Sequence, residues 1–251
     1  MNKLLCCLVA AVLFFGACKK DTVDIQGKGA LNFEFENVVG NQALVLNTQN
    51  YTNALGETFN VSTFKYYVSN IILTKDDGSV YKVPENYFLI DQSEPASCSP
   101  KLEDIPAGDY TKISFTIGVD SLRNFAGAQS GALDPLNGMF WTWNSGYIFV
   151  KMEGTSTAST SANHQLIFHI GGAQNPVNAI RKASFDISPN VLRIRSDKSP
   201  QMHFLVDVNK MFTGTQDISF AQTNMLMGGP KSLQIADNYA VGMFSLDHIH
   251  N

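Results

Sequence analysis

Cysteine is scarce: the chain has four in 251 residues, and three of them, Cys6, Cys7 and Cys18, lie before position 19. Cys98 is then left without a partner in the rest of the chain, which excludes a disulfide framework. Charge is scarce too. Only 16% of residues are Asp, Glu, Lys or Arg, 18 basic against 22 acidic, and the net charge of -4 is scattered. A chain with no basic stripe has no electrostatic footprint for nucleic acid. No apolar run reaches the roughly 20 residues that a spanning helix needs. Catalytic signatures are also missing: there is no Gly-rich phosphate loop, G-x-S-x-G, H-E-x-x-H or C-x-x-C, so the reading is of a non-catalytic protein. Apolar residues make up 44%, which in turn excludes wholesale disorder.

Phe (17), Gly (19) and Tyr (8) are plentiful, and aromatics with β-branched residues suit pleated, half-buried surfaces. The first eighteen residues read as a secretion signal. Lys3 supplies the positive start, Leu4–Phe15 is a continuous apolar run, and Phe15-Gly16-Ala17 puts small residues before Cys18. This arrangement resembles a bacterial lipobox, with Cys18 as the lipidated residue and a membrane as the first partner; the other reading is an ordinary signal peptide. Acyl chains hold such a protein to a membrane at roughly 0.8 kcal/mol per buried CH₂. Lys19–Gly29 is polar and aperiodic, as a tether between lipid and domain should be. Residues 30–251 show no internal linker and are expected to fold as one domain.

Within that domain, short runs alternate between turn signals. Ala30–Val38 sets Leu31, Phe33 and Phe35 against Asn32, Glu34 and Glu36, the period of a strand with one wet face. Thr63–Leu73 and Val80–Val83 flank Asp77-Gly78, the clearest hairpin signal. Further strands are predicted at Tyr87–Asp91, Lys112–Val119, Tyr147–Glu153, Gln165–Ile170, Ala183–Ile187, Met202–Val208 and Met243–His250. Helical turns are expected at Ser121–Ala126, Asn178–Lys182 and Val208–Phe212, and a mobile Ser/Thr-rich tip at Gly154–Asn163. The fold class is all-β, an antiparallel β-sandwich with Greek-key-like connections, long loops and a few short helices.

The five histidines, His164, His169, His203, His248 and His250, all fall after residue 163, in or beside these strands. His248 and His250 are two apart and share a face of a regular strand, with Phe244 and Leu246 on that side. Two imidazoles so placed can share a metal if further donors come from elsewhere; otherwise they are frayed or partly buried terminal residues. His169 interrupts an apolar strand, so its nitrogens need partners in the core or a site to face. His203 sits between Met202 and Phe204, while His164 has the opposite parity to His169 and is read as solvent-facing. Trp141 and Trp143 share a face by the same parity, either as core residues, as a stacking shelf for a glycan, or as oxidisable aromatics beside a metal. Met225 and Met227 offer thioethers suited to Cu(I), although Met more often fills gaps in a core. A hydrolase would need an acid beside these histidines, and Asp120 and Asp247 are the ones to inspect.

The ordered set Gly118-Val119-Asp120-Ser121, Gly138 to Tyr147 with its two tryptophans, Phe168-His169-Ile170-Gly171-Gly172 and Phe244 to His250 resembles the MbnP-like proteins, secreted or lipid-anchored copper-binding proteins related to the methanobactin-associated one. The resemblance covers nearly the whole chain after Cys18. It implies a β-sandwich that holds one copper ion through histidines, with His169, His248 and His250 as ligands and His203 in reserve. It also implies that Trp141 or Trp143 is oxidised near the metal by a di-haem peroxidase-like partner, at the cell envelope, either facing the periplasm or on the outer surface. Copper storage, uptake or delivery is the expected role. The alternative is an envelope module without metal that binds glycan or protein through the Trp141/Trp143 face. Neutral imidazoles bind metal, so uptake should weaken below roughly pH 6.5.

Overall fold

The computed structural model describes residues 26–141 and 146–251. Cys18 and Trp143 lie outside the described residues, as do the leader and the tether up to residue 25. Strand accounts for 50% and helix for 14%. In chain order the first strands are β1 (Lys28–Val39), β2 (Gln42–Ala43), β3 (Asn50–Thr52), β4 (Thr58–Lys75), β5 (Val80–Lys82) and β6 (Tyr87–Asp91). Next come β7 (Lys101–Pro106), β8 (Gly108–Ile117), helix α1 (Ser121–Asn124), β9 (Phe140–Trp141), β10 (Gly146–Ser156), β11 (Gln165–Gly171), β12 (Ala173–Gln174) and β13 (Val177–Asn178). The last are β14 (Arg181–Asp186), β15 (Leu192–Ile194), β16 (Gln201–Asp207), β17 (Met225–Met227), helix α2 (Ser232–Gly242) and β18 (Phe244–His250).

All strands but β12 and β13, which pair with each other as a separate hairpin, form a sandwich of two sheets. The smaller has the order β18-β16-β1-β2 with β7 on β1; the larger runs β14-β8-β4-β10-β11-β17 with shorter strands along β4, β8 and β10. Pairing between the sheets' strands is antiparallel except for β1–β16 and β11–β17, which are parallel. Alternation decides which side of each strand enters the core. On β1, Leu31, Phe33 and Phe35 are buried and Glu34 and Glu36 are not; on β16, Met202, Phe204 and Val206 point inward. The inner faces meet in a cluster of phenylalanines: Phe35 stacks on Phe204 at 5.5 Å, and Phe115 from the larger sheet meets Phe244 edge-on at 5.1 Å. Edge and offset contacts of this kind suit the ring quadrupoles.

The Asp-Gly hairpin forms between β4 and β5, where Gly78 adopts φ +80°, a left-handed conformation glycine takes at no steric cost. Three local expectations are corrected. Asn178–Lys182 is not helical, because Asn178 ends β13 and Arg181 begins β14, whose register against Ile117 makes it the edge of the larger sheet. The Ser/Thr segment is no free tip: β10 continues to Ser156, and Ser159 is buried with its Oγ donating to Gln165 O at 2.7 Å. Helix α2 follows Gly228-Gly229-Pro230, a segment that carried no helical expectation. Its buried face includes Ser232, Asn238 and Tyr239 beside Ile235 and Ala236, so polar residues mask the apolar period. Asn238 is buried because its amide donates to Gln216 O at 2.7 Å and Met211 O at 3.2 Å. Among the described residues no helix is long and apolar enough to cross a membrane.

Candidate functional site

His169 lies on β11 with odd-numbered residues on the outer face of the larger sheet and Leu166, Phe168 and Ile170 in the core. Its neighbours in register are Lys151 on β10 and Met227 on β17. Nε2 is 2.7 Å from Glu153 Oε1, and Lys151 Nζ is 3.3 Å from the same oxygen. Those two contacts hold the Glu153 carboxyl down at about 2, chiefly through the hydrogen bond from His169, against the opposing effect of burial. The network therefore assigns the proton of His169 to Nε2, leaving a lone pair on Nδ1. That Nδ1 is buried and has no hydrogen-bond partner among the described residues, while the residue as a whole is 8% exposed. Buried polar atoms are satisfied in the great majority of cases, so an orphan nitrogen aimed at no protein donor calls for a ligand.

The surroundings are shaped for one. Two residues along the strand, a Cβ on Gly171 would sit 2.5 Å from Tyr147 O and 2.8 Å from the Trp141 ring. Gly228, next to Met227, leaves the same ring room at 3.4 Å. Trp141 is thus held in a trough of glycines, at 4% exposure, beside a cleft of about 470 Å³ lined also by Tyr147, Met227 and Gly228. Burial of Trp141 removes it from any exposed stacking shelf, the arrangement that a glycan-binding face would need. Met225 and Met227 point outward on β17 while Leu226 packs inward, so the Met227 thioether is on the His169 side of the sheet.

A second group of donors lies on the outer face of the smaller sheet. His203 on β16 faces away from the core, and β18 pairs with it antiparallel, His203 opposite His248 and Gln201 opposite His250. The register slips between His203 and Phe204, which makes Asp247 an extra residue in β18. This bulge corrects the regular-strand expectation: Phe244 and Leu246 turn to the core side opposite Val206 and Phe204, whereas His248 and His250 turn outward. Asp247 Oδ2 lies 2.7 Å from His248 Nδ1 and 3.2 Å from His203 Nδ1, and the two nitrogens are 3.4 Å apart. The hydrogen bond from His248, then that from His203, lowers the Asp247 carboxyl below its ordinary value. The His250 ring is 4.5 Å from that of His248.

The structure therefore brings His203 and His248 together with Asp247 and sets His250 beside them, but leaves His169 elsewhere. The expected meeting of His169 with the terminal pair does not occur, because outer faces of opposed sheets are separated by the core, and sheets stack about 10 Å apart. Sequence reasoning missed Glu153 as a partner, because a period of two places it beside His169 only if cross-strand register is known; of the two acids singled out, Asp247 does lie beside histidines. His164 is exposed, with Nδ1 2.9 Å from Ser159 O. Asp120 caps α1 through Arg123 N–H and is held by Asn70 and Tyr87, with no histidine among the contacts described. Burial pushes the Cys98 thiol up, which leaves it unactivated.

The MbnP family model matches residues 28–228. Among solved structures, MbnP from Methylosinus trichosporium is similar, with 15% identity, 76% of this chain and 80% of that chain covered, and a TM-score of 0.52. No curated protein matches the sequence.

Proposed function

The chain belongs to the MbnP family, and from that membership we propose that it is a non-catalytic copper-binding protein of the cell envelope, serving copper storage, uptake or delivery. The observation that supports this most is the His169 imidazole. Its Nε2 is tied to Glu153 and its Nδ1 is buried without a partner among the described residues, the arrangement by which a carboxylate orients a metal-binding histidine. His169 Nδ1 would hold the ion, with the thioether of Met227 as the neighbouring soft donor. An imidazole and a thioether, with no thiolate, suit copper in either oxidation state better than hard cations. Bound copper would supply a redox-active centre beside Trp141. The residues of this chain then have plain tasks: Glu153 fixes the tautomer, the glycines at 171 and 228 admit the indole, and the core strands exclude water from the inner side.

By the family resemblance, Trp141 or Trp143 is the tryptophan oxidised, with a di-haem peroxidase-like protein as the partner. Cys18 carries the lipid that anchors the chain to the membrane. Copper titration of the purified chain, with metal content by mass spectrometry, is expected to find a tightly held ion that His169→Ala loses. Equal uptake by wild type and His169→Ala would overturn the assignment. Peptide mapping across Trp141 and Trp143 in material from the native host reads the oxidation directly; two unmodified indoles would remove that part. For the anchor, Cys18→Ser is expected to move the protein from the membrane to the soluble envelope fraction, and an unchanged distribution would refute lipidation.

A further inference from the structure

The cluster on the smaller sheet has features that the His169 centre does not use. Its three donor atoms, His203 Nδ1, His248 Nδ1 and Asp247 Oδ2, are separated by 3.4, 3.2 and 2.7 Å. A tetrahedral ion with bonds of about 2.0–2.1 Å needs ligands about 3.3 Å apart. Two of the separations are therefore already at the metal-bound value, and the third opens by about half an ångström when the His248–Asp247 hydrogen bond is exchanged for an ion. Chance clusters of exposed acids do not look like this, for two reasons. First, the β-bulge at Asp247 exists at this point alone in the β16–β18 ladder, and without it Asp247 and His248 would face opposite sides of the strand. Second, His203 is no surface residue: the side chain is 10% exposed, and Nε2 is buried without an aligned hydrogen-bond partner among the described residues. Glu36 Oε2 lies 3.0 Å from that Nε2, on the side away from the donors, where a carboxylate orients a metal-bearing imidazole.

We propose that His203, Asp247 and His248 form a second metal site, open to solvent on the outer face of the smaller sheet, for a divalent late first-row ion, Cu(II) or Zn(II). Two imidazoles and one carboxylate match the preferences of both ions, and the Irving–Williams order favours Cu(II). Two carboxylates, Asp247 and Glu36, balance a charge of two. The remaining coordination positions face water, with the His250 ring next to that of His248. Such a site exchanges its ion readily, because neither Asp247 nor His248 is covered.

The site stands or falls independently of His169, and the test separates them. The purified full chain is dialysed to equilibrium against Cu(II) and, separately, Zn(II), and the bound metal is counted in wild type, His169→Ala, and Asp247→Asn with His248→Ala. His203 is left intact because its ring is packed. The proposal expects His169→Ala to keep one equivalent that the double variant lacks. It also expects Glu36→Gln to keep that equivalent with affinity reduced roughly 10–100-fold. In Cu(II)-loaded His169→Ala, nitrogen hyperfine coupling from two imidazoles is expected in the electron paramagnetic spectrum. Metal uptake by the double variant equal to that of wild type overturns the second site and leaves the His169 reading standing. Loss of all metal in the double variant with none lost in His169→Ala confirms the second site and overturns the reading of His169. Should the double variant fail to fold, His248→Ala alone, at an exposed edge residue, gives the same readout.

Discussion

Phe115→Ala is expected to lower the unfolding free energy by about 3–5 kcal/mol, the range for deleting a buried aromatic ring. Phe115 is fully buried and touches four other rings: Phe35 at 6.4 Å, Phe185 and Phe204 at 5.7 Å each, and Phe244 at 5.1 Å. Those partners come from β1, β14, β16 and β18, so one ring joins both sheets. The cavity left by alanine is bordered by β1, β8 and β16, whose backbones are hydrogen-bonded on both sides, so it closes only in part from the edge strands β14 and β18. Against a total stability of roughly 5–15 kcal/mol for a domain, the loss is a large fraction. Phe115→Leu, which keeps most of the volume, should cost less than about 1.5–2 kcal/mol. Denaturant titration of the two variants checks the argument. A loss below about 1 kcal/mol for alanine would mean that the sheets close over the gap.

Glu153→Gln is expected to act on both stability and metal. In the folded protein the Glu153 carboxyl is held at about 2 instead of 4.5. A depressed carboxylate stabilises the native state fully above its unfolded value and loses that contribution as pH falls through the folded one. The window is therefore about pH 4.5 down to 2. Over that window the wild-type protein should lose stability that the glutamine variant does not have to lose. A difference of that size corresponds to about 3 kcal/mol at most. The carboxylate is 31% exposed, so solvent screening reduces the expected figure to about 1–2 kcal/mol. At neutral pH the variant is also expected to bind copper roughly 10–100-fold more weakly, because His169 loses the acceptor that sets its tautomer and orientation. Unfolding free energies from pH 6 to 2, with copper affinity at neutral pH, give both numbers. Parallel acid profiles for the two proteins would remove Glu153 from the account of acid stability.

The two histidine centres differ in how far they could be read before the fold was known. His169 stood out because it is the one polar residue in the otherwise apolar run Leu166-Ile167-Phe168-His169-Ile170. Its carboxylate partner did not stand out, since Glu153 is 16 residues away and one of several acids on wet strand faces. His248 and His250 were visible as a same-face pair, but the face was assigned wrongly. A regular strand puts them with Phe244 and Leu246, and only the bulge at Asp247 separates the two sets. No local pattern marks that bulge, because an extra residue is defined by the strand opposite, and β16 lies some 45 residues earlier.

The longer strands, and the wet side of those that stay regular, were legible in the sequence alone. Period-two alternation needs only the chain's own order, so β1, the Asp77-Gly78 hairpin and Tyr87–Asp91 were legible, as was the ordered set of motifs that marks the family. Tertiary structure alone decided the parallel pairing of β1 with β16, the burial of Trp141 against Gly171, and the choice of His203 and Asp247 as companions of His248. Each of these depends on register between distant segments. Register is a property of pairs of strands, set by how their apolar faces meet across the core, and a shift of one residue would send every side chain to the other face.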